Sequence, residues 1–489
     1  MVWVCNSRIA HCPIQAREGR PKGAGKAWRA SLAVLAGLAA GAAGTIQAAW
    51  AHQAAPVQDV SSAPETAAAE VSATLFQNVR IFNGKSGTLS SPSNVLVRGN
   101  MIESISASPL PADASTRVID GGGRVLMPGL IDNHWHTIFV RPTPPQLLAS
   151  DPGYTNILAG VEATATLMRG FTTVRDLGGP AFALKQAIDQ GLLPGPRIYP
   201  SGTMITVTSG HGDFRDFGDL PRVPGKLTRG ERLGGMSIAD SPDEVRMRTR
   251  EQLMQGATQV KLTAGGGVAS PHSPLDVSTF TEEEIRAAVE AAENWGTYVC
   301  VHAYTSVAVQ RSIAAGVKCI EHAHLIDDAT AKMIADKGVW LSTQPFVDLT
   351  PAAGLGPAEQ AKLAQVVQGT DTLYGFVKKY RIKTAFGTDI LFSPALAARQ
   401  GHFLVDMGRW FTPAETLIMA TSTNAELLRM SGKRNPYPAA LGVVEPGAYA
   451  DLLLVDGNPL QDINVVADPD KNFLIIMKDG KIYKNALSR

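Results

Sequence analysis

Between residues 129 and 389 the chain alternates two patterns. Short apolar runs rich in Val, Ile, Thr and Tyr are followed by longer stretches with helical spacing of their apolar positions. The short runs at 129–136, 171–176, 196–202, 258–264, 298–304, 318–324, 339–345 and 383–389 read as strands. Helices are expected at 147–170, 181–191, 241–256, 281–296, 305–316, 327–338 and 412–430. Thr281-Glu-Glu-Glu284 is a capping box, whose two side chains satisfy free amide donors reciprocally, and Gly296 is a helix stop. Eight strand–helix units predict an α/β fold, a (β/α)8 TIM barrel over 128–440. Six or seven units would also suit a doubly wound sheet.

The flanks carry shorter alternations. Residues 74–81, 94–97 and 101–105 read as strands, with Arg98-Gly-Asn100 as a turn. The C-terminus repeats the style at 450–455 and 473–483. Each flank alone is too small for a core. One small β-sandwich domain built from both chain ends, 74–127 and 441–489, is therefore expected. A long polar insert, about 203–240, interrupts the barrel and carries Gly210-His-Gly-Asp213. Loops of that length are usually functional or disordered.

The N-terminus reads as an address. Basic residues precede the apolar run Ser31–Gly44, which is shorter than the ~20 residues a span needs. Ala49-Trp50-Ala51 then offers a cleavage site, so 1–51 is expected to be a signal peptide and 52–73 a disordered linker. The expected product is exported, periplasmic or secreted, with no stable membrane span after cleavage.

Composition sharpens this picture. Lys and Arg number 45 against 44 Asp and Glu, a formal +1. Six of the basic residues and a single acid fall within 1–51, so the remainder is acidic. Such a body lacks the basic face that nucleic-acid binding needs. Four cysteines exclude a disulfide scaffold, and Cys300 and Cys319 sit in apolar runs as expected buried thiols.

The ten histidines then matter by position. In a barrel, chemistry gathers where the strands end. Strand 1 ends in His134-Trp-His136, whose imidazoles face one side because alternate residues do. Lys261 lies on strand 4, His302 on strand 5, Glu321-His322-Ala-His324 on strand 6, and Gly387-Thr-Asp389 closes strand 8. Alone, a His-x-His or a Gly-Thr-Asp is commonplace. In succession at one end of separate strands they suit zinc or a similar divalent ion. Arg175 and Asp176 are candidates for a structural ion pair, and His402 for the mouth of the site. The glycines at 265–267 precede no phosphate-loop lysine and serine, and read as a tight turn.

Pro128-Gly-Leu-Ile-Asp-Asn-His134-Trp-His136 resembles the first-strand signature of the amidohydrolase superfamily. Lys261, His302, His322 and Asp389 follow in that family's order. Leu441-Gly-Val-Val-Glu-Pro-Gly447 looks like its return into the sandwich. Val301-His-Ala-Tyr304 and Cys319-Ile-Glu-His-Ala-His324 resemble the imidazolonepropionase-like and prolidase-like branch, with its Xaa-Pro and Xaa-Arg dipeptidases. Within it, the chain is similar to the secreted bacterial amidohydrolases that hydrolyse ochratoxin A.

The resemblance implies two divalent metal ions, most simply Zn2+. His134, His136 and Asp389 would hold the buried ion, and His302 and His322 the second. Lys261 would bridge both after carbamylation by CO2, because an ammonium has no lone pair to give. Asp389 would shuttle the proton of a metal-bridged hydroxide attacking an amide carbonyl. Tyr304 and His211 would stabilise the oxyanion. His324 and His272 are weaker substrate candidates. A homo-oligomer is also implied, with an octamer as one form.

The expected substrate is a small molecule, an amide or dipeptide cleaved next to a free carboxylate, with ochratoxin A as one type. Arg215, Arg222, Arg229 and Arg232 of the insert are equivalent candidates for that carboxylate. Cyclic-amide hydrolysis or deamination on the same barrel is the alternative. A secreted, non-catalytic metal-binding protein is the reading from another class, but structural zinc sites are closed and four-coordinate.

Overall fold

The structure, a computed structural model, describes residues 72–223, 225–348 and 355–487. The expected signal peptide and all but the end of the expected linker lie outside these residues. Five strands come first: β1 (Ala73–Ile81), β2 (Ser93–Arg98), β3 (Met101–Ser106), β4 (Thr116–Asp120) and β5 (Val125–Pro128). The next ten belong to the barrel region. They are β6 (Leu130–Trp135), β7 (Phe171–Asp176), β8 (Arg197–Pro200), β9 (Ile205–Thr206), β10 (Ser237–Ile238), β11 (Val260–Thr263), β12 (Val299–Thr305), β13 (Cys319–Leu325), β14 (Trp340–Thr343) and β15 (Thr384–Phe386). Three more end the chain: β16 (Leu452–Val455), β17 (Phe473–Lys478) and β18 (Lys481–Asn485).

The barrel is drawn in two parallel arcs. One is β6-β7-β8, and the other runs β11-β12-β13-β14-β15 with β9 and β10 on its edge. Thr258 N donates to Pro200 O at 2.8 Å across one seam, and a parallel bridge joins Trp135 to Ile390 across the other. Strands β6, β7, β8, β11, β14 and β15 are buried throughout, because helices cover one face and the barrel interior fills the other. This is why they read as short apolar runs rather than alternations. The fold is the TIM barrel of an α/β protein.

Most helices fall within the expected stretches, but 147–170 is two helices, Pro144–Ala149 and Pro152–Met168, because Asp151-Pro152 caps and starts a new one. In Glu282–Asn294 the capping box forms as read, with Thr281 accepting from Glu284 N and Glu284 accepting from Thr281 N. The longest helix, Pro357–Tyr380, follows β14.

Both chain ends build the second layer. β5 pairs antiparallel with β16, Leu126 opposite Leu454, and the sheet continues to β17 and β18. On the other side β5 meets β1, which also carries β2 and β4. Phe76, Val95, Val97, Leu126, Leu454 and Ile475 share one core. Arg197 ties barrel to sandwich, bonding Asp451 at 2.9 Å and Asp479 at 2.6 Å. Cys300 and Cys319 are buried free thiols in register on β12 and β13. Among the described residues no helix is long and apolar enough to cross a membrane.

Candidate active site

The strand-1 end of the site is sewn to the strand-8 end. Asp132, fully buried, accepts from Thr388 N at 3.1 Å, Thr388 Oγ1 at 2.7 Å, Gln400 Nε2 at 2.9 Å and His134 N at 3.0 Å. Asp389 N donates to His134 O at 2.8 Å. Gly387 makes this approach feasible, since a Cβ there would lie 2.5 Å from that of His134. Asp389 itself has φ 54°, a left-handed conformation that Asp tolerates better than most residues. Its Oδ1 consequently lies 3.2 Å from His134 Nε2 and 3.1 Å from His136 Nε2. Its Oδ2 is 3.9 Å from His322 Nδ1.

Hydrogen-bond partners define which nitrogens are available. Burial raises the Glu321 carboxyl, but the Arg175 guanidinium at 2.7 Å outweighs it and holds the pKa well below the usual range. Glu321 is therefore a carboxylate, and His134 Nδ1, 3.0 Å from its Oε2, donates to it. That leaves a lone pair on His134 Nε2 facing the anionic Asp389 Oδ1. Two lone pairs at that separation repel unless a proton or a metal cation lies between them. Burial opposes a charge on His134, yet Asp389 more than offsets it and raises the pKa. His134, His322 and Asp389 each offer a ligand atom within 4.8 Å of the others. The donor set fits a divalent ion.

The other half is a cluster of rings in tilted and edge-on contact. His302 lies 4.4 Å from His322, 4.9 Å from Tyr304 and 4.2 Å from His211, centroid to centroid. Burial pushes the pKa values of His302 and His322 well down, so both are neutral. His302 Nε2 donates to Gly266 O at 2.9 Å, which frees Nδ1. His322, at φ 77°, places Nδ1 2.7 Å from Gln344 Oε1, which frees Nε2. Tyr304 lines the pocket, and its hydroxyl has no hydrogen bond among the described residues.

His211 comes from the polar insert. Its Nδ1 is 2.9 Å from Ser270 Oγ, which already accepts from Gly212 N at 2.9 Å. The serine proton is thus free to go to Nδ1, leaving Nε2–H as a donor. Burial lowers the His211 pKa to about 3, so the ring stays neutral. Gly267 passes directly under the ring, and a Cβ there would lie 2.0 Å from His211 Nδ1.

Lys261 reaches the pocket from β11 and is buried at 2% exposure. Among the described residues it has no carboxylate partner, although an unpaired buried ammonium is costly. The pocket wall is apolar and aromatic, with Phe139, Phe214, Phe346, Phe392 and Phe403. Arg399, Asp406 and Asp348 bring charged side chains to it, and His402 an imidazole.

Several expected residues stand elsewhere. The arginines of the insert are all engaged away from the pocket. Arg215 pairs Asp213, Arg222 pairs Glu244, and Arg229 and Arg232 bond carbonyls of Leu148 and Leu227. Arg399, not singled out by the sequence, is the pocket arginine, and its guanidinium has no hydrogen bond among the described residues. His324 lies behind the pocket lining, bonded to Gln344 O at 3.0 Å. His272 packs on Phe217, outside the pocket. Arg175 and Asp176 do not pair with each other. Successive strand residues point to opposite faces, so Arg175 takes Glu321 while Asp176 accepts from Thr137 N and Gly178 N. Gln344, between His134 and His322, also went unnoticed, since a lone Gln after a strand carries no signal of its own.

A TIM barrel with imidazoles and a carboxylate converging at its strand ends defines a metal-dependent type of hydrolase. The amidohydrolase family matches residues 125–483, and the chain belongs to it. It is 30% identical to ochratoxinase of Aspergillus niger over 378 residues, 74% of this chain and 76% of the relative. It is 24% identical to imidazolonepropionase of Streptomyces griseus over 409 residues, 80% and 92% of the two chains. A prolidase solved in complex with N-methylphosphonate-L-proline superposes with TM-score 0.78 at 34% identity, covering 84% of this chain and all of that one. The chain is accordingly a hydrolase of carbon–nitrogen bonds acting on small molecules.

Proposed function

We propose that this enzyme hydrolyses an amide bond next to a free carboxylate, in dipeptides, N-acyl amino acids or compounds of the ochratoxin A type. Two divalent ions, taken here as Zn2+, would be held by His134, His136 and Asp389 and by His302 and His322, with carbamylated Lys261 between them. The observation that carries the reading is the unpaired, buried Lys261 amid lone pairs that need a cation. The ions would supply Lewis acidity and lower the pKa of water from about 15.7 toward ~7.

The chain's own groups do the rest. Asp389 accepts a proton from the attacking water and returns it to the leaving nitrogen. The Tyr304 hydroxyl and His211 Nε2–H donate to the carbonyl oxygen as it gains charge. The aromatic wall excludes water and takes an apolar side chain. Arg399 takes the substrate carboxylate.

A screen of N-acyl amino acids, Xaa-Pro dipeptides and ochratoxin A, with and without chelator, tests the reaction. Chelation should abolish turnover, and full activity without metal would refute the reading. Arg399→Met should raise KM for carboxylate substrates by about 10-fold or more, in keeping with ~1.5–3 kcal/mol for a charged hydrogen bond. C-terminally amidated analogues should be unaffected. Export is checked by N-terminal sequencing of the mature protein, and the oligomer by light scattering.

A further inference from the structure

Behind the ligands lies an ion pair with no contact to solvent. Arg175 and Glu321 are both 0% exposed, 2.7 Å apart on β7 and β13. Arg175 spends its other donors on Asn133 O at 2.7 Å and Tyr298 OH at 3.1 Å. Cys319 Sγ adds a contact at 3.3 Å to the same Oε1 that Arg175 holds. Glu321 Oε2 is thereby reserved for His134 Nδ1. Gln344 Nε2 lies 3.3 Å from that nitrogen but cannot donate to it once it carries a proton.

A buried ion pair is a poor device for stability, because desolvation cancels most of its attraction. It is a good device for fixing a neighbour. The other ring nitrogens turned away from the site meet neutral acceptors: Gly266 O behind His302 and Gln344 Oε1 behind His322. His322 Nδ1 has the Asp389 carboxylate only at 3.9 Å, so His134 alone of these three is hydrogen-bonded to an anion on that side. A carboxylate behind a ligating imidazole fixes its tautomer and raises its basicity.

We infer that Glu321 is a positioning residue that locks His134 with its proton on Nδ1, and that Arg175 acts through Glu321 by fixing which oxygen faces the ring. The inference rests on the reading of His134 as a metal ligand. Its consequence is an inequality: the ion held by His134 binds more tightly than the other.

Glu321→Gln separates this role from packing, because the two side chains have nearly the same shape. Arg175 would claim the amide oxygen and turn the amide NH2 toward His134 Nδ1. His134 would then carry its proton on Nε2, the nitrogen that faces Asp389. The expected result is a 10- to 100-fold loss of affinity for one ion and little change for the other. Metal content is read by elemental analysis after dialysis against graded chelator, using Zn2+ on the full chain. In Zn2+-loaded protein labelled with 15N-histidine, the His134 signals should report Nδ1–H in the wild type and lose that proton in the variant.

Unchanged affinity with an unchanged tautomer would overturn the inference. If the variant does not fold, the wild-type spectrum decides alone, and an Nε2–H tautomer there overturns it. A wild type that binds no metal would instead sink the proposed function.

Discussion

The two halves of the site are held by different forces. The half around His134, His136 and Asp389 is fastened by charged and side-chain hydrogen bonds: Arg175 to Glu321, Glu321 to His134, and Asp132 to Thr388 and Gln400. Every anchor but Gln400, in the turn after the helix Pro394–Ala397, sits on a strand or just past its end. The half around His302, Tyr304 and His211 is held by tilted and edge-on ring contacts and by loop backbone. Lys362 gathers that loop, donating to Gly267 O at 3.3 Å, Ser270 O at 2.8 Å and Ser273 O at 3.0 Å. Ion pairs and hydrogen bonds impose direction, whereas ring contacts tolerate sliding. The first half thus suits groups whose geometry must not vary. The second suits donors that must follow a substrate.

This contrast can be broken in order of severity. Asp389→Asn removes the proton carrier from the rigid half and should lower kcat by about 10^2- to 10^4-fold, measured by steady-state hydrolysis. Tyr304→Phe removes one donor from the adaptable half. It should cost about 10^2-fold in kcat with KM little changed, and a pure KM effect would remove the tyrosine from the chemical step. Gly267→Ala forces His211 aside and should lower kcat/KM by about 10-fold, since small displacements of a positioned group are costly. Metal content should be unaffected by it. Lys362→Met should be mildest, a change of about 2-fold in turnover, below the ~1.5–3 kcal/mol of a charged hydrogen bond because most of that loss falls on the loop and not on the reaction. Faster amide exchange at 265–274 would reveal the loosened loop.

The strands were legible because burial on both faces leaves a compact apolar signature. The chemistry was legible where several rare residues fell at equivalent strand ends. Legibility failed where a role depends on what lies across the barrel. Arg175 read as a partner for its neighbour Asp176, yet its side chain crosses to Glu321. Arg399 and Gln344 have no motif around them, and only the folding of distant segments makes them part of one wall. The helix Pro357–Tyr380 was not among those expected: its buried Val366, Thr370, Leu373, Tyr374 and Val377 have helical spacing, but they all fall after its first turns. β4 carries little apolar signal because it is short and mostly exposed, and β5 merges with the next strand because only Gly129 separates its four apolar residues from Leu130.

The pairing of β5 with β16 has a consequence for the order of events at synthesis. β5 leaves the ribosome before the barrel, and its partner follows only after the barrel is complete. For that interval Val125–Pro128 presents an unpaired apolar edge, while most of the barrel's pairings join neighbours already made. Contacts this distant in sequence form slowly. The sheet that joins the two ends is therefore expected to close last, as a clasp on a barrel already assembled.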